Sequence, residues 1–136
     1  MRRLLLCLLA SGLPIACSSA SPDNGSKAVQ SERWATPVKH DANLYRIDDK
    51  LYRSEQPVAE DGEAIVKLGI QSVINLRFFD RNDDDHLKEH GLTLLNRPLL
   101  SWSIKPKEIA EILYLIEKQQ QNGAVLIHCY HGADRT

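Results

Sequence analysis

Nine residues carry the chemistry of this chain: His128-Cys129-Tyr130-His131-Gly132-Ala133-Asp134-Arg135-Thr136. They read Cys-x5-Arg-Thr, with a glycine three positions after the cysteine. Cleaving a phosphate monoester needs a nucleophile, a cradle for the dianion and a proton for the departing oxygen. A thiolate can attack phosphorus and carry the phosphoryl group covalently, and Cys129 is the candidate. Its thiol must be acidified, which a nest of backbone amides and a nearby guanidinium can do. The amides from Tyr130 to Arg135, including those of His131, Gly132, Ala133 and Asp134, can curl toward one point. Gly132 would let the backbone turn without a Cβ obstructing the anion. Arg135 would close the ring as a two-pronged donor to phosphate oxygens, a task for which lysine is a poor substitute. Thr136 could donate its hydroxyl to the thiolate. The His128 ring is expected to hydrogen-bond backbone near the loop and hold its shape, rather than act as a base.

The cysteine inventory points the same way. Arg2-Arg3, the apolar run Leu4 to Ala10 and the following Ser11-Gly12-Leu13-Pro14-Ile15-Ala16 read as a secretory signal. The run is too short to anchor stably across a bilayer. Ile15-Ala16-Cys17 resembles a bacterial lipobox, although Pro14 is atypical there, and cleavage after Ser18-Ser19-Ala20 is the alternative. Cys7 then leaves with the signal, and Cys17 is lipidated or removed. Cys129 remains as a lone thiol in an oxidising compartment, where cysteines are usually paired. With 17 basic and 18 acidic residues and no basic stripe, the chain invites no nucleic-acid partner.

The elements that must hold the loop can be read from periodicity. Residues 18–42 are polar and aperiodic and read as a flexible tether. Leu44-Tyr45-Arg46-Ile47 and Leu51-Tyr52-Arg53 flank the turn Asp48-Asp49-Lys50, which predicts a hairpin. Pro57 opens a helical pattern through Ala64, Ile65 and Leu68, closed by Gly69. Val73 to Leu76 and Leu92 to Leu95 read as strands. Between them, Asp83-Asp84-Asp85 is expected to cap a short helix that ends at Gly91. Pro106 opens a longer helix with an expected apolar stripe of Ile109, Ile112, Leu113 and Ile116. Ala124-Val125-Leu126-Ile127 has the composition of a fully buried strand and feeds directly into Cys129. Strands alternating with helices predict an α/β domain with a mainly parallel central sheet flanked by helices. The loop would sit at the carboxyl end of a central strand.

The sequence resembles bacterial exported, periplasmic tyrosine phosphatases of the dual-specificity class, within the Cys-x5-Arg family. HCYHGADRT is similar to their HCxxGxxRTG signature. Asn43-Leu44-Tyr45-Arg46, Leu51-Tyr52-Arg53-Ser54 with Pro57, and Val73-Ile74-Asn75-Leu76-Arg77 resemble their preceding segments. The resemblance spans residues 43–136 and implies a tyrosine-phosphatase-like fold, with no metal or other cofactor. It divides the chain into a signal and lipobox region (1–17), a tether (18–42) and a phosphatase domain (43–136). Two departures stand out. The general acid of the family is an Asp on a loop after a Pro, yet Pro98 is followed by Leu99-Leu100-Ser101-Trp102-Ser103. Trp102 is expected to line the cleft wall instead. Asp134 either substitutes as the acid or only shapes the loop, and Asp80 is a weaker candidate. The family also has a glycine and further helices after the loop. The expectation is therefore a C-terminally truncated domain, inactive or nearly so as 136 residues.

Other readings of these signals remain. His86 and His90 have the i, i+4 spacing of metal ligands, but no third ligand is evident, and solvated surface is expected. Phosphotyrosine proteins are the first expected substrate class, ahead of other small phosphomonoesters. An inositol-phosphate or phosphoinositide phosphatase is the enzymatic alternative, although the loop contains no lysine. A non-catalytic phosphate-binding pseudophosphatase is the other. The expected place of action is the periplasm, as a soluble form or attached to a membrane through a lipid on Cys17.

Overall fold

A computed structural model describes residues 35–79 and 83–136. The signal region, the lipobox with Cys17, most of the expected tether and Asp80 therefore lie outside the described residues. Six strands form one sheet: β1 (Thr36–Lys39), β2 (Leu44–Arg46), β3 (Leu51–Ser54), β4 (Ile70–Asn75), β5 (Thr93–Asn96) and β6 (Ala124–His128). Their spatial order is β1-β2-β3-β6-β4-β5. The β1/β2 and β2/β3 pairs are antiparallel, whereas β3, β6, β4 and β5 run parallel. The expected α/β architecture is thus present, with an antiparallel hairpin added to a parallel core.

One boundary moves. Asn43 is not the start of the domain, because Thr36 to Lys39 already pairs with β2. This strand is short, exposed throughout and contains Pro37. Such a strand suits a sheet edge, where proline removes no ladder bond that matters.

The last strand in sequence, β6, inserts between β3 and β4. In register, Leu126 lies between Tyr52 and Val73. The pleat of β6 divides the core. Ala124 and Leu126 pack on one face with Leu44, Tyr52, Ile65, Leu87 and Leu92. Val125 and Cys129 pack on the other with Ile74, Leu99, Ile112, Leu115 and Ile116. Helix α1 (Gly62–Lys67), preceded by a 3₁₀ turn at Ala59–Asp61, covers the first face through Ile65. Helix α2 (Pro106–Gln119) covers the second. Its buried stripe is Ile112, Leu115 and Ile116. The expected Ile109 and Leu113 are exposed, so the helix is rotated from the predicted face. The run Ile112 to Ile116 is apolar throughout and admits either stripe; Ser72 Oγ donating to Gln119 Oε1 at 3.0 Å ties β4 to the observed one.

Leu126 is fully buried on the central strand. Leu126→Ala should therefore cost roughly 2–5 kcal/mol of stability, measured by denaturant unfolding. A loss well under 1 kcal/mol would mean that this face of the sheet is not the core.

Candidate active site

The register of the three central strands brings their carboxyl ends level. Ser54, His128 and Asn75 stand side by side. The residues that follow, Gln56, Cys129 and Arg77, therefore gather at one edge of the sheet, at the place where β6 separates β3 from β4. Open α/β sheets bind ligands at such a point. Leu76 N–H donates to His128 O at 2.9 Å and carries the β4/β6 ladder to the start of the loop.

Cys129 is 1% exposed. Burial alone would push its thiol up. Hydrogen bonds from the backbone amides of Arg135, Ala133, Gly132 and His131 outweigh it and hold the thiol below its ordinary 9.0. Four of the amides expected to converge thus do so, and they converge on the sulfur. A buried thiol with this donor set is predisposed to be a thiolate.

The loop carbonyls are held from outside. Gln56 N–H donates to Tyr130 O at 3.2 Å. Asn43 Nδ2 donates to His131 O at 2.8 Å and to Gly132 O at 3.1 Å. Arg53 Nη1 donates to Gly132 O at 2.6 Å, with its guanidinium 4.5 Å from the centre of the Tyr45 ring. Gly132 has φ +67°, and a Cβ there would lie 2.6 Å from Ser54 C and Glu55 N. A side chain at this position is excluded by the backbone at the end of β3, which passes against it.

The expected role of His128 gains a partner that the sequence reading assigned elsewhere. Its Nδ1 faces Cys129 O at 3.4 Å, while Nε2 meets Asp84 Oδ2 at 3.0 Å. Asp84 is 3% exposed and makes no capping hydrogen bond to the 3₁₀ turn Asp85–His90. It is therefore not a solvated helix cap; a buried carboxylate needs donors, and here His128 and Gln56 supply them. Burial would raise the Asp84 carboxyl, but the His128 hydrogen bond and charge, with further donors in Gln56 and Asn75, hold it below its ordinary 3.8.

Arg77, Phe78, Phe79, Tyr130 and Arg135 line a cavity of about 260 Å³. The Nε of Arg135 is buried with no hydrogen-bond partner, so a donor in this lining is left without a protein acceptor. The guanidinium of Arg77 lies 5.1 Å from the centre of the Tyr130 ring. Its Nη1 donates to Gln56 Oε1 at 2.8 Å and pairs with Asp83. Thr136 does not make the expected bond to the thiolate; its Oγ1 is buried and unpartnered, and the sulfur takes its donors from the main chain. Asp134 is exposed on the loop. Trp102 is not in this lining; it is 75% exposed in a turn. His90 is exposed with its ring against Gly62, whereas His86 is half-buried rather than solvated. Among the described residues no group of three His, Cys, Asp or Glu side chains gathers as a metal site.

Sequence reasoning missed Asn43, Arg53, Gln56, Arg77 and Asp84 as site residues. All but Asp84 belong to or adjoin the segments quoted for the family resemblance, which was their only local signal. Asp84 was hidden within three consecutive aspartates. Asp84→Ala, which strands His128, should cost roughly 3–5 kcal/mol near neutral pH. The carboxyl is depressed on folding, so its contribution is present above about 3.8 and is lost as pH falls through the lower folded value. Stability curves of the parent and variant should converge in that acid range. Parallel curves down to the lowest pH measured would contradict the assignment.

No protein-family model matches the chain. The dual specificity protein phosphatase TpbA of Pseudomonas aeruginosa is 30% identical to it over 109 residues, covering 80% of this chain and 49% of that protein. The chain thus spans about half the length of the curated relatives it matches. The crystal structure of P. aeruginosa TpbA matches with a TM-score of 0.72 at 30% identity, covering 79% of this chain and 65% of the other. A cysteine-to-serine form of TpbA in complex with pTyr matches with a TM-score of 0.69 at 28% identity, covering 76% and 62% of the two chains. The chain therefore has the mixed α/β fold of TpbA, a dual specificity phosphatase, and is similar to it in sequence across most of its described length.

Proposed function

We propose that this chain belongs to a cysteine-dependent phosphomonoester hydrolase acting on phosphotyrosine proteins, with Cys129 as nucleophile. The observation that carries this reading is the Cys129 sulfur, buried yet receiving four backbone amides, in a loop whose Tyr130 and Arg135 line a cavity and whose Arg135 Nε lacks an acceptor. In the first step, the thiolate attacks phosphorus, an S–P bond forms and the P–O bond to the substrate breaks. The departing oxygen leaves with a proton, for which Asp134, exposed beside Arg135, is the assigned donor. Water then attacks the phosphocysteine, releasing phosphate and restoring the thiolate. Arg135 and the loop amides would stabilise the charge on the transferring phosphoryl group.

The substrate class is supported from two sides. Phe78, Phe79 and Tyr130 give the cavity aromatic walls suited to a phosphoaryl ring. TpbA, the relative with this fold, has been crystallised with pTyr. Action on small polyanions has less support, because Tyr130, His131, Ala133 and Asp134 bring no lysine to the loop. The same reading includes export to the periplasm, supported by Arg2-Arg3 and the Leu4 to Ala10 run, with Cys17 as the candidate for lipid attachment.

In the full-length protein, Cys129→Ser should abolish turnover of a phenyl phosphate while retaining vanadate binding. Turnover left undiminished would refute the nucleophile, and a parent that binds vanadate without any turnover would favour a non-catalytic phosphate binder. For export, fractionation should recover the protein outside the cytoplasmic membrane, and Cys17→Ser should remove labelled fatty acid from it. Membrane attachment and processing unchanged in that variant would exclude the lipoprotein form.

A further inference from the structure

The planar trans peptide sends the carbonyl of one residue and the amide of the next in opposite directions. That relation links two sets of hydrogen bonds at this site. The amides of His131, Gly132 and Ala133 point at the Cys129 sulfur. The carbonyls on the far side of those same three peptide units are those of Tyr130, His131 and Gly132. These are the carbonyls taken by Gln56 N–H, by Asn43 Nδ2, and by Asn43 Nδ2 with Arg53 Nη1. Three of the four peptide units that serve the sulfur are therefore anchored at their other ends by the hairpin side of the sheet; the unit ending in the Arg135 amide is outside this set.

We infer that Asn43 and Arg53 are positioning residues, which aim the loop's amides at the nucleophile by drawing the carbonyls of His131 and Gly132 outward. Neither touches the sulfur in this account; both act through the orientation of a peptide plane. Asn43 is suited to the task in two ways. Its carboxamide has two hydrogens, one for each carbonyl. It also has φ +45°, a left-handed conformation that asparagine adopts more readily than most residues, and this sets its side chain across the strand end toward the loop. Arg53 lies in β3, one residue before the Ser54 backbone that passes against Gly132. The close approach and the 2.6 Å bond from Arg53 fix the same peptide from two directions. This inference rests on the phosphatase reading only for its catalytic consequence; the effect on the thiol does not depend on it.

The test uses two variants of the full-length protein that remove the donors with little other change. Asn43→Gly keeps the left-handed backbone accessible and deletes both hooks. Arg53→Met keeps an apolar stem on the Tyr45 ring and deletes the third. The first readout is the pH dependence of Cys129 alkylation by iodoacetamide. The parent midpoint should lie below 9.0, and each variant should shift it upward by about one pH unit. The second is phenyl phosphate hydrolysis, in which kcat should fall about 10- to 100-fold with a smaller change in KM. A merely structural role would lower the unfolding temperature and leave the alkylation midpoint of the folded protein in place; unchanged midpoints in both variants would overturn the inference. If the midpoints shift but the parent never hydrolyses the ester, the positioning role stands and the phosphatase reading falls. If the parent hydrolyses it and both variants keep the parent midpoint, the reverse holds.

Discussion

A buried thiol has lost the water that would stabilise its ionised form, and the contacts at this site answer that deficit. Desolvation works against the charged sulfur, and main-chain dipoles must more than offset it. Those dipoles are useful only when fixed, because a loop free to reorient would spend its amides on solvent or on itself. The opposite ends of the same peptide units raise a second requirement: a carbonyl sequestered from water needs its own donor. One set of contacts meets both needs. The hairpin β2–β3 satisfies the outer carbonyls, and by doing so leaves the inner amides no other direction to face.

The sheet makes this economical. Because β6 is central, its carboxyl end has a neighbouring strand on each side, and residues from both reach the loop without long excursions. The pleat then separates two kinds of chemistry on adjacent residues. Cys129 joins the core beneath α2, while His128 turns to Asp84. The buried histidine–carboxylate pair braces the strand end, and the thiol on the opposite face is left to the amides. Gln56 connects the two systems, with its backbone on Tyr130 O and its side chain on Asp84 and Arg77.

Local signals served the reading of this chain well. The loop motif, the apolar β6, the proline opening α2 and the left-handed Gly91 after the Asp85–His90 turn all appear where residue types alone placed them. Long-range facts were illegible. Nothing in Ala124 to His128 says that this strand lies between β3 and β4, since that pairing depends on elements fifty or more residues away. Strand β1 escaped notice because four exposed residues containing a proline have no alternation to detect. The stripe of α2 was misjudged because five consecutive apolar residues fit more than one helical face. Asp84 was read as a cap because capping is the common use of an aspartate before a helical turn. Its actual environment is created only when β6 brings His128 alongside.

The dependence of the loop on Asn43 and Arg53 has a consequence in time rather than in space. These residues are separated from their carbonyl partners by 79 to 89 positions in the chain. Contacts so distant in sequence form late, after closure of most of the intervening chain. Until then the cysteine lacks the donors that lower its pKa in the finished sheet. The lowered pKa of Cys129 thus belongs to the completed topology and not to the nine-residue loop by itself.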